Sequence, residues 1–157
     1  MTTQTSAIPA VIDYLVATLT ASLTEVRVID GPGITDDSAE NWLFIGVDDP
    51  DSDSAPTAAE AESDWSALGA RQRREDIVVH CAAISYSGDD VMKTVRDTAF
   101  VTAAGVEKAI VADPTLAGAV LYATFGGVSA VRQNTNDQGV EAWALFTVRA
   151  RARLTAT

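Results

Sequence analysis

The chain has 157 residues, of which 47% are hydrophobic, and its 22 acidic and 11 basic side chains give a formal net charge of -11. This size and composition predict one globular domain over residues 1–157 and exclude a disordered or fibrous chain. The acidic balance argues against a free-standing nucleic-acid binder. No uncharged stretch reaches the ~20 residues that a membrane span needs, and the first residues lack signal-peptide features, so we expect a cytoplasmic protein without membrane contact.

The predicted elements begin with an amphipathic helix and two short strands. Apolar residues recur at helical spacing over residues 8–23, after Ser6 as a capping residue and with Pro9 in the first turn. Residues 25–30 and 42–47 have the composition of strands, and turn residues separate them. We predict that these two strands form a hairpin with a long connection.

An acidic segment follows the second strand. Residues 48–64 lose the apolar periodicity and are rich in Asp, Ser, Ala, Pro and Glu, which predicts a solvated, flexible loop. Residues 28–70 hold eleven acidic side chains and no Lys or Arg, so this stretch accounts for the whole net charge. The candidate partner-facing residues of the acidic loop are Asp48, Asp49, Asp51, Asp53, Glu60, Glu62 and Asp64.

The second half of the chain predicts a long strand, a long helix and a final hairpin. The strand runs from about residue 73 to 86, and the helix of ~24 residues ends before Pro114 because proline cannot continue it. In the hairpin, Gly126 and Gly127 predict a bulge. This order predicts an α+β fold, in which two main helices pack on a mostly antiparallel sheet of about four to five strands. The buried stripe of the second helix is predicted to be Met92, Val95, Ala99, Ala103, Val106 and Ile110.

The sequence offers few groups for catalysis. His80 and Cys81 are the single histidine and the single cysteine, and their positions in the long strand predict packing roles. No phosphate-binding loop, nucleophile elbow or zinc motif is present in the sequence. We therefore expect no enzymatic activity and no cofactor.

One acidic pattern is similar to a calcium-binding loop. Asp49, Asp51, Asp53 and Glu60 occupy positions 1, 3, 5 and 12 of such a loop, where oxygen ligands can surround one ion. The pattern fails at Ser54, which stands where the turn of that loop requires glycine. We therefore favour a solvated acidic loop and expect no metal site.

The last predicted strand places three arginines on one face. Arg149, Arg151 and Arg153 alternate with apolar residues that are predicted to lie in the core. The arginine face has three interpretations: an edge strand protected against aggregation, a salt-bridged subunit interface, or a surface that binds phosphate. Because three like charges repel and the chain carries a segregated acidic segment, we favour an interface with acidic groups of another chain. The candidate interface residues are Arg149, Arg151, Arg153, Arg71, Arg73 and Arg74.

The chain contains the segment WSALGARQRREDIVVHCAAISYSGDD, a predicted helix that ends in VEKAIVADPTLAGAV, and a predicted hairpin that ends in FTVRARARL. Together these three segments resemble the tail terminator, or tail completion, proteins of long-tailed bacteriophages. The similarity runs from Ile8 to Leu154 as a pattern of elements, and the acidic loop departs from it. The matching residues are Leu68, Gly69, Arg71, Arg74, Glu75, Asp113, Pro114, Thr115, Leu116 and Gly118.

The resemblance implies a structural protein of the virion. Proteins of the tail terminator family form a homohexameric ring at the head-proximal end of the tail. This ring caps the tail tube, ends its polymerisation and docks to the head–tail connector protein. The expected partners are therefore other copies of the chain, the tail tube protein and the connector, with DNA in the lumen as a further contact. Two alternatives stay open: another neck or connector component of the same particle, and a metal- or small-molecule-binding domain that uses the acidic loop.

Overall fold

The computed structural model describes residues 5–33, 39–51 and 54–155. Two helices and six strands within these residues confirm the predicted α+β class, with slightly more strands than expected. No helix in these ranges is long and apolar enough to cross a membrane. The elements in chain order are α1 (Ile8–Ser22), β1 (Arg27–Asp30), β2 (Asn41–Ile45), β3 (Ala59–Trp65), β4 (Gln72–Ser87), α2 (Met92–Ala112), β5 (Tyr122–Asn136) and β6 (Gly139–Thr155).

The strands form one sheet in the order β1-β2-β4-β6-β5, and β3 pairs with β4 outside this path. Since β2 pairs with the second half of β4 and β3 with its first half, β2 and β3 lie end to end along the same side of β4. The longest ladder joins β4 to β6, from Gln72↔Thr155 to Ser87↔Val140. The sheet is therefore organised around the pair of β4 and β6.

Both helices pack on this sheet, as predicted, and the structure places them on the same face. The apolar side of β6, which alternates from Ala142 to Leu154, is buried throughout. Five of the six predicted stripe residues of α2 are buried, Met92 is partly buried, and Thr102 joins the buried set. The main core combines Val11, Leu15 and Leu19 of α1 and Ala99, Ala103, Val106 and Ile110 of α2 with Leu43, Ile45, Ile77, Val79, Cys81, Ala83, Phe146 and Val148 of the sheet.

The predicted hairpin of the first two strands is wrong. β1 and β2 pair in parallel, from Arg27↔Trp42 to Asp30↔Ile45. A connection of ten residues spans up to ~33 Å, whereas a four-residue strand covers only ~13 Å, so the chain has enough length to return and pair in parallel. The spacing of the two strands therefore did not determine their relative direction.

The prediction of one flexible loop over residues 48–64 also needs correction, because Ala59–Trp65 forms β3. This strand pairs with β4 from Ala59↔Val79 to Trp65↔Arg73, although nearly all its side chains are exposed. Backbone hydrogen bonds to an otherwise unpaired side of β4, rather than burial, account for it. The amino-acid composition of a segment indicates whether its side chains are buried. It could therefore not reveal a strand such as β3, whose side chains are nearly all exposed.

The start of α1 is tied to β4 by a buried carboxylate. Glu75 is only 3% exposed, and its Oε1 accepts a hydrogen bond of 2.8 Å from the backbone N–H of Ala7. The predicted capping residue Ser6 contributes a weaker contact, in which its Oγ accepts from the N–H of Ile8 at 3.1 Å. The N-terminal end of a helix favours a negative charge, so Glu75 both caps α1 and fixes its position on the sheet.

A compact turn after α2 holds several of the residues that carry the family resemblance. The carboxylate of Asp113 accepts hydrogen bonds from the Tyr14 hydroxyl, the Thr115 hydroxyl and the Ala117 N–H. These donors, the Ala117 N–H most of all, hold the pKa of Asp113 below its ordinary value. Leu116 is buried in the core beneath the turn. The turn therefore links α2 to α1 and to the core.

The predicted bulge in the final hairpin is confirmed. The register of β5 and β6 shifts between Phe125 and Val128, where Gly127 has a φ of +87°. A Cβ atom at Gly126 would collide with the Thr147 side chain. Only glycines fit this pair of positions without strain.

Replacing Glu75 by Ala should lower the free energy of unfolding by roughly 1–3 kcal/mol, because the buried Ala7 N–H would lose its acceptor. Glu62→Ala is the matched control, since it removes an exposed carboxylate from β3 and should change the free energy by less than ~0.5 kcal/mol. Urea denaturation of both variants measures the difference. Equal destabilisation by the two would contradict the assigned role of Glu75.

Amide hydrogen exchange tests the correction to the acidic loop. In an antiparallel pair every second residue bonds to its neighbour, so about half of the amides of residues 59–65 should exchange slowly. We expect the same rates with and without calcium. Uniformly fast exchange from residue 54 through 65 would restore the flexible loop, and calcium-dependent protection would restore the metal-binding alternative.

Candidate functional site

The sheet face opposite the helices, which we call the open face, carries the candidate residues. No helix of the described residues covers it, because α1 and α2 both lie on the other side. Side chains that alternate along β4 and β6 form its centre. Its members are Arg74, Asp76, Val78, His80, Ala82, Ile84 and Tyr86 from β4 and Glu141, Trp143, Leu145, Thr147, Arg149, Arg151 and Arg153 from β6.

The antiparallel ladder brings the predicted arginines to one end of the sheet. The start of β4 lies beside the end of β6, so that Arg74 is opposite Arg153. Arg71 immediately precedes β4, and Arg73 points to the helix side, where it is opposite Leu154. We call the set Arg71, Arg73, Arg74, Arg149, Arg151 and Arg153 the basic end; it holds six of the eleven basic residues of the chain.

A row of ion pairs crosses three strands at the basic end. Arg74 lies 3.0 Å from Asp64 of β3 and 3.4 Å from Asp76, and Arg151 Nε donates to Asp76 Oδ1 at 2.6 Å. The hydrogen bond from Arg151 is the main reason that the pKa of Asp76 lies below its ordinary value. Arg151 also lies over the ring of Tyr122 on β5, at 5.7 Å from its centroid.

These contacts give one of the three arginines of β6 an acidic partner in its own chain. Arg151 already has an acidic partner in its own chain, so it does not require a carboxylate from another subunit. Arg149 and Arg153 are exposed and have no ion-pair partner within residues 5–33, 39–51 and 54–155. The interpretation as a protected edge strand is wrong, because β6 lies between β4 and β5. Arg149 and Arg153 thus remain as cations available to a partner.

The turn between β3 and β4, residues 66–71, projects beside the basic end, and we call it the hairpin tip. Its Leu68 side chain is fully exposed, and Trp65 at its base is 53% exposed. The guanidinium of Arg73 lies over the Trp65 ring, 5.6 Å from the centroid. Sequence analysis did not identify Leu68 as a contact residue, although a lone leucine in a polar turn was a signal for one.

The acidic candidates are divided between two places rather than forming one partner-facing loop. Glu60, Glu62 and Asp64 lie on β3, on the same face as the basic end. Residues 47–51, which we call the crossing segment, pass over β4 and β6 to β5, where Asp49 pairs with Arg132 at 2.8 Å. Asp48 accepts a hydrogen bond from the Thr57 N–H, Asp51 lies in the crossing segment, and Asp53 lies outside the described residues.

The structure does not bring together the described calcium-ligand candidates, Asp49, Asp51 and Glu60. Asp49 is paired with Arg132, and Glu60 lies on β3 with its Oε2 3.4 Å from His80 Nε2. Among the residues that the structure describes, no three His, Cys, Asp or Glu side chains form a group that could hold a metal ion. The strand assignment of Glu60 removes the loop curvature that a calcium site needs.

A cleft of about 710 Å³ lies at the other end of the open face, and we call it the aromatic cleft. Trp42 and Phe44 stack at 6.3 Å between ring centroids on one wall. Trp143 also lines the cleft, and its buried Nε1 has no hydrogen-bond partner in the described part of the chain. The other lining residues include Val47, Pro50, Asp51, Ile84, Tyr86 and Glu141.

Among the residues that the structure describes, no cation pairs with Asp51 or Glu141 in the aromatic cleft. Burial raises the pKa of Glu141, and the negative charge of Asp51 raises it further, while the indole of Trp143 offsets part of this shift without reaching hydrogen-bonding geometry. Neither carboxylate forms an ion pair within residues 5–33, 39–51 and 54–155. Arg132, which lies over the Trp143 ring on this face, is paired with Asp49. The cleft therefore combines aromatic walls with unneutralised negative charge.

The two residues that sequence analysis examined for catalysis have packing environments. Cys81 is buried in the main core, and burial raises the pKa of its thiol to about 12. Such a thiol stays protonated at neutral pH and is a poor nucleophile. His80 is partly buried on the open face beside Glu60.

Comparison of the chain with protein-family models gives no match, and comparison with curated proteins gives none either.

Proposed function

We propose that the protein is a structural component of a long-tailed bacteriophage that forms a ring at the head-proximal end of the tail. The ring caps the tail tube, ends its polymerisation and offers a docking face to the head–tail connector. By the resemblance, it contains six copies of the chain. The protein assembles in the host cytoplasm, functions in the virion and carries out no catalysis.

The observation that carries this proposal is the basic end. An otherwise acidic chain gathers six of its eleven basic residues there, and on β6 both Arg149 and Arg153 have no ion-pair partner among the described residues. Three like charges in alternate positions of one strand are unfavourable in isolation, and Arg151 alone is neutralised by Asp76. A partner that supplies carboxylates at this surface would remove that repulsion.

The residues behind the family resemblance divide into two groups that support the same conclusion. Glu75, Asp113 and Leu116 have roles inside the fold, as a cap, a turn acceptor and a core residue. Leu68 and Arg71 lie at the hairpin tip, where the apolar side chain of Leu68 is fully exposed to solvent. The part of the resemblance that folding does not explain therefore lies on an exposed surface beside the basic end.

An interface at this place would combine two kinds of contact. Burying a leucine side chain against a partner is worth ~1.5–3 kcal/mol, and guanidinium groups bind carboxylates through two parallel hydrogen bonds. Exposed ion pairs alone contribute under ~1 kcal/mol each, so the apolar tip provides affinity and the arginines provide specificity. This combination is typical of protein interfaces with an apolar centre and a polar rim.

The alternative of another neck or connector component uses the same surfaces and differs in its place in the particle. Electron microscopy of labelled tails separates the two assignments, because a terminator lies directly on the last ring of the tail tube. The alternative of a metal site in the acidic loop has lost its ligand geometry among the described residues.

Charge reversal at the basic end tests the proposal. The variant Arg149→Glu, Arg151→Glu and Arg153→Glu should remain folded but should fail to form rings and to cap tail tubes, because like charges would face the acidic partner. The matched control is Lys93→Glu, Arg96→Glu and Lys108→Glu, which makes the same charge change on α2, on the other side of the sheet. Electron-microscopy class averages of the purified protein and of tails show whether each of the two variants forms rings and caps tail tubes.

Normal capped tails from the folded β6 variant would refute the interface. Intact rings with a later defect in genome retention would instead assign these arginines to DNA in the lumen. If the α2 control also failed to form rings and to cap tails, the cause would be a general effect of net charge rather than a local contact.

The exposed leucine allows a test that separates stability from assembly. Leu68→Ser should change the free energy of unfolding by less than ~0.5 kcal/mol, because the side chain contacts nothing in the subunit. The same change should weaken assembly by at least ~10-fold, which corresponds to the ~1.5 kcal/mol or more gained by burying this side chain. Urea denaturation and concentration-dependent mass measurement report the two quantities. Unchanged assembly would place the hairpin tip outside the interface.

A further inference from the structure

Two unsatisfied surfaces of opposite charge lie at opposite ends of the open face. The basic end presents Arg149 and Arg153 without ion-pair partners among the described residues, and the aromatic cleft presents Asp51 and Glu141 in the same condition. The strand β4 runs from Arg74 at the first surface to the cleft at the second, a length of ~40 Å at 3.3 Å per residue. One copy of the chain cannot bring its own two surfaces together.

We propose that the basic end of one copy docks into the aromatic cleft of the next copy, with the guanidinium of Arg153 between Trp42 and Trp143 and paired with Glu141. Arg149 then lies at the rim of the same contact. This assignment rests on the proposed ring and names the two surfaces that join its subunits. The occupant of the cleft is therefore a second copy of this chain.

The chemistry of the cleft fits a guanidinium group. Aromatic faces attract cations by ~0.5–2 kcal/mol, and a carboxylate binds arginine through two hydrogen bonds. The chain already uses arginine over an aromatic ring at Arg132 and Trp143, with 5.9 Å from the guanidinium carbon to the ring centroid. The cleft volume of about 710 Å³ exceeds what one arginine side chain needs, so neighbouring residues of the docking strand can enter with it.

The state of Glu141 supports the same occupant. Its carboxylate is partly withdrawn from water and lies near a second negative charge, which disfavours the ionised form. An arriving guanidinium would stabilise that ionised form and would compensate for the lost hydration. A neutral apolar occupant would instead leave the charge buried without a partner.

The separation of the two surfaces determines the type of assembly. A contact between different surfaces of two identical subunits is heterologous, so it propagates from copy to copy and closes into a ring when the rotation allows. A two-fold dimer could also pair the surfaces, but it would use both contacts at once and leave no free end. The stoichiometry of the wild-type protein therefore distinguishes the two arrangements.

The experiment uses two complementary full-length variants. The cleft variant carries Glu141→Lys, and the arginine variant carries Arg149→Ala with Arg153→Ala. Each alone should lose self-association by at least ~10-fold, because one side of every contact is blocked. Mixed in equal amounts, they should form a one-to-one heterodimer and nothing larger, since only one intact basic end meets one intact cleft. Native mass spectrometry measures all three samples.

A second cleft variant guards against misfolding, because Glu141 is partly buried. Glu141→Gln keeps the shape of the side chain and Asp51→Lys changes an exposed residue, so this pair should fold and give the same heterodimer. A chain that carries Glu141→Lys together with Arg149→Glu and Arg153→Glu should recover part of the self-association. Recovery is expected because the exchanged charges again attract across the contact.

Several outcomes would overturn the contact. Wild-type-like association of either single-sided variant, absence of heterodimers on mixing, monomeric wild-type protein, or a closed wild-type dimer each contradicts it. Capping of tail tubes is scored separately with wild-type protein. Capping without heterodimers removes this contact and leaves the proposed function, whereas heterodimers without capping remove the function and leave the contact.

Discussion

The antiparallel pairing of β4 with β6 is the constraint on which the rest of the structure depends. It runs from Gln72↔Thr155 to Ser87↔Val140, and successive side chains along it point to opposite faces. On β6 one of these faces is apolar from Ala142 to Leu154, and both helices pack on that side. The other face carries charge at one end and aromatic groups at the other, and the length of these strands keeps the two apart.

Local pattern was enough to predict the elements whose side chains alternate between core and solvent. The buried stripe of α2, the apolar side of β6 and the glycine bulge of β5 all follow from residues within one element. The errors concern backbone pairing between elements. The direction of β1 against β2 depends on how a ten-residue connection returns, and β3 forms on an unpaired side of β4 with its acidic side chains in water.

The candidate site was likewise predictable within one strand but not across paired strands. Arginine on alternate positions of one strand indicated a common face, but the register that sets Arg74 opposite Arg153 and Arg151 beside Asp76 is a property of two strands. The aromatic cleft was even less predictable from the sequence. Its walls come from β2, β4, β6 and the crossing segment, so Trp42 and Trp143 meet although about a hundred residues separate them in the sequence.

The large negative charge of the chain limits where copies can meet. Subunits of charge -11 repel at long range, but at physiological ionic strength this repulsion decays over ~8 Å, so close contacts decide the affinity. Exposed carboxylates such as Glu60 and Glu62 contribute under ~1 kcal/mol each to such contacts. A carboxylate already withdrawn from water beside aromatic rings, as Glu141 is, gains more from a cation. The aromatic cleft therefore fits the arginines better than the exposed acids of β3, which are already adjacent to the basic end of their own chain.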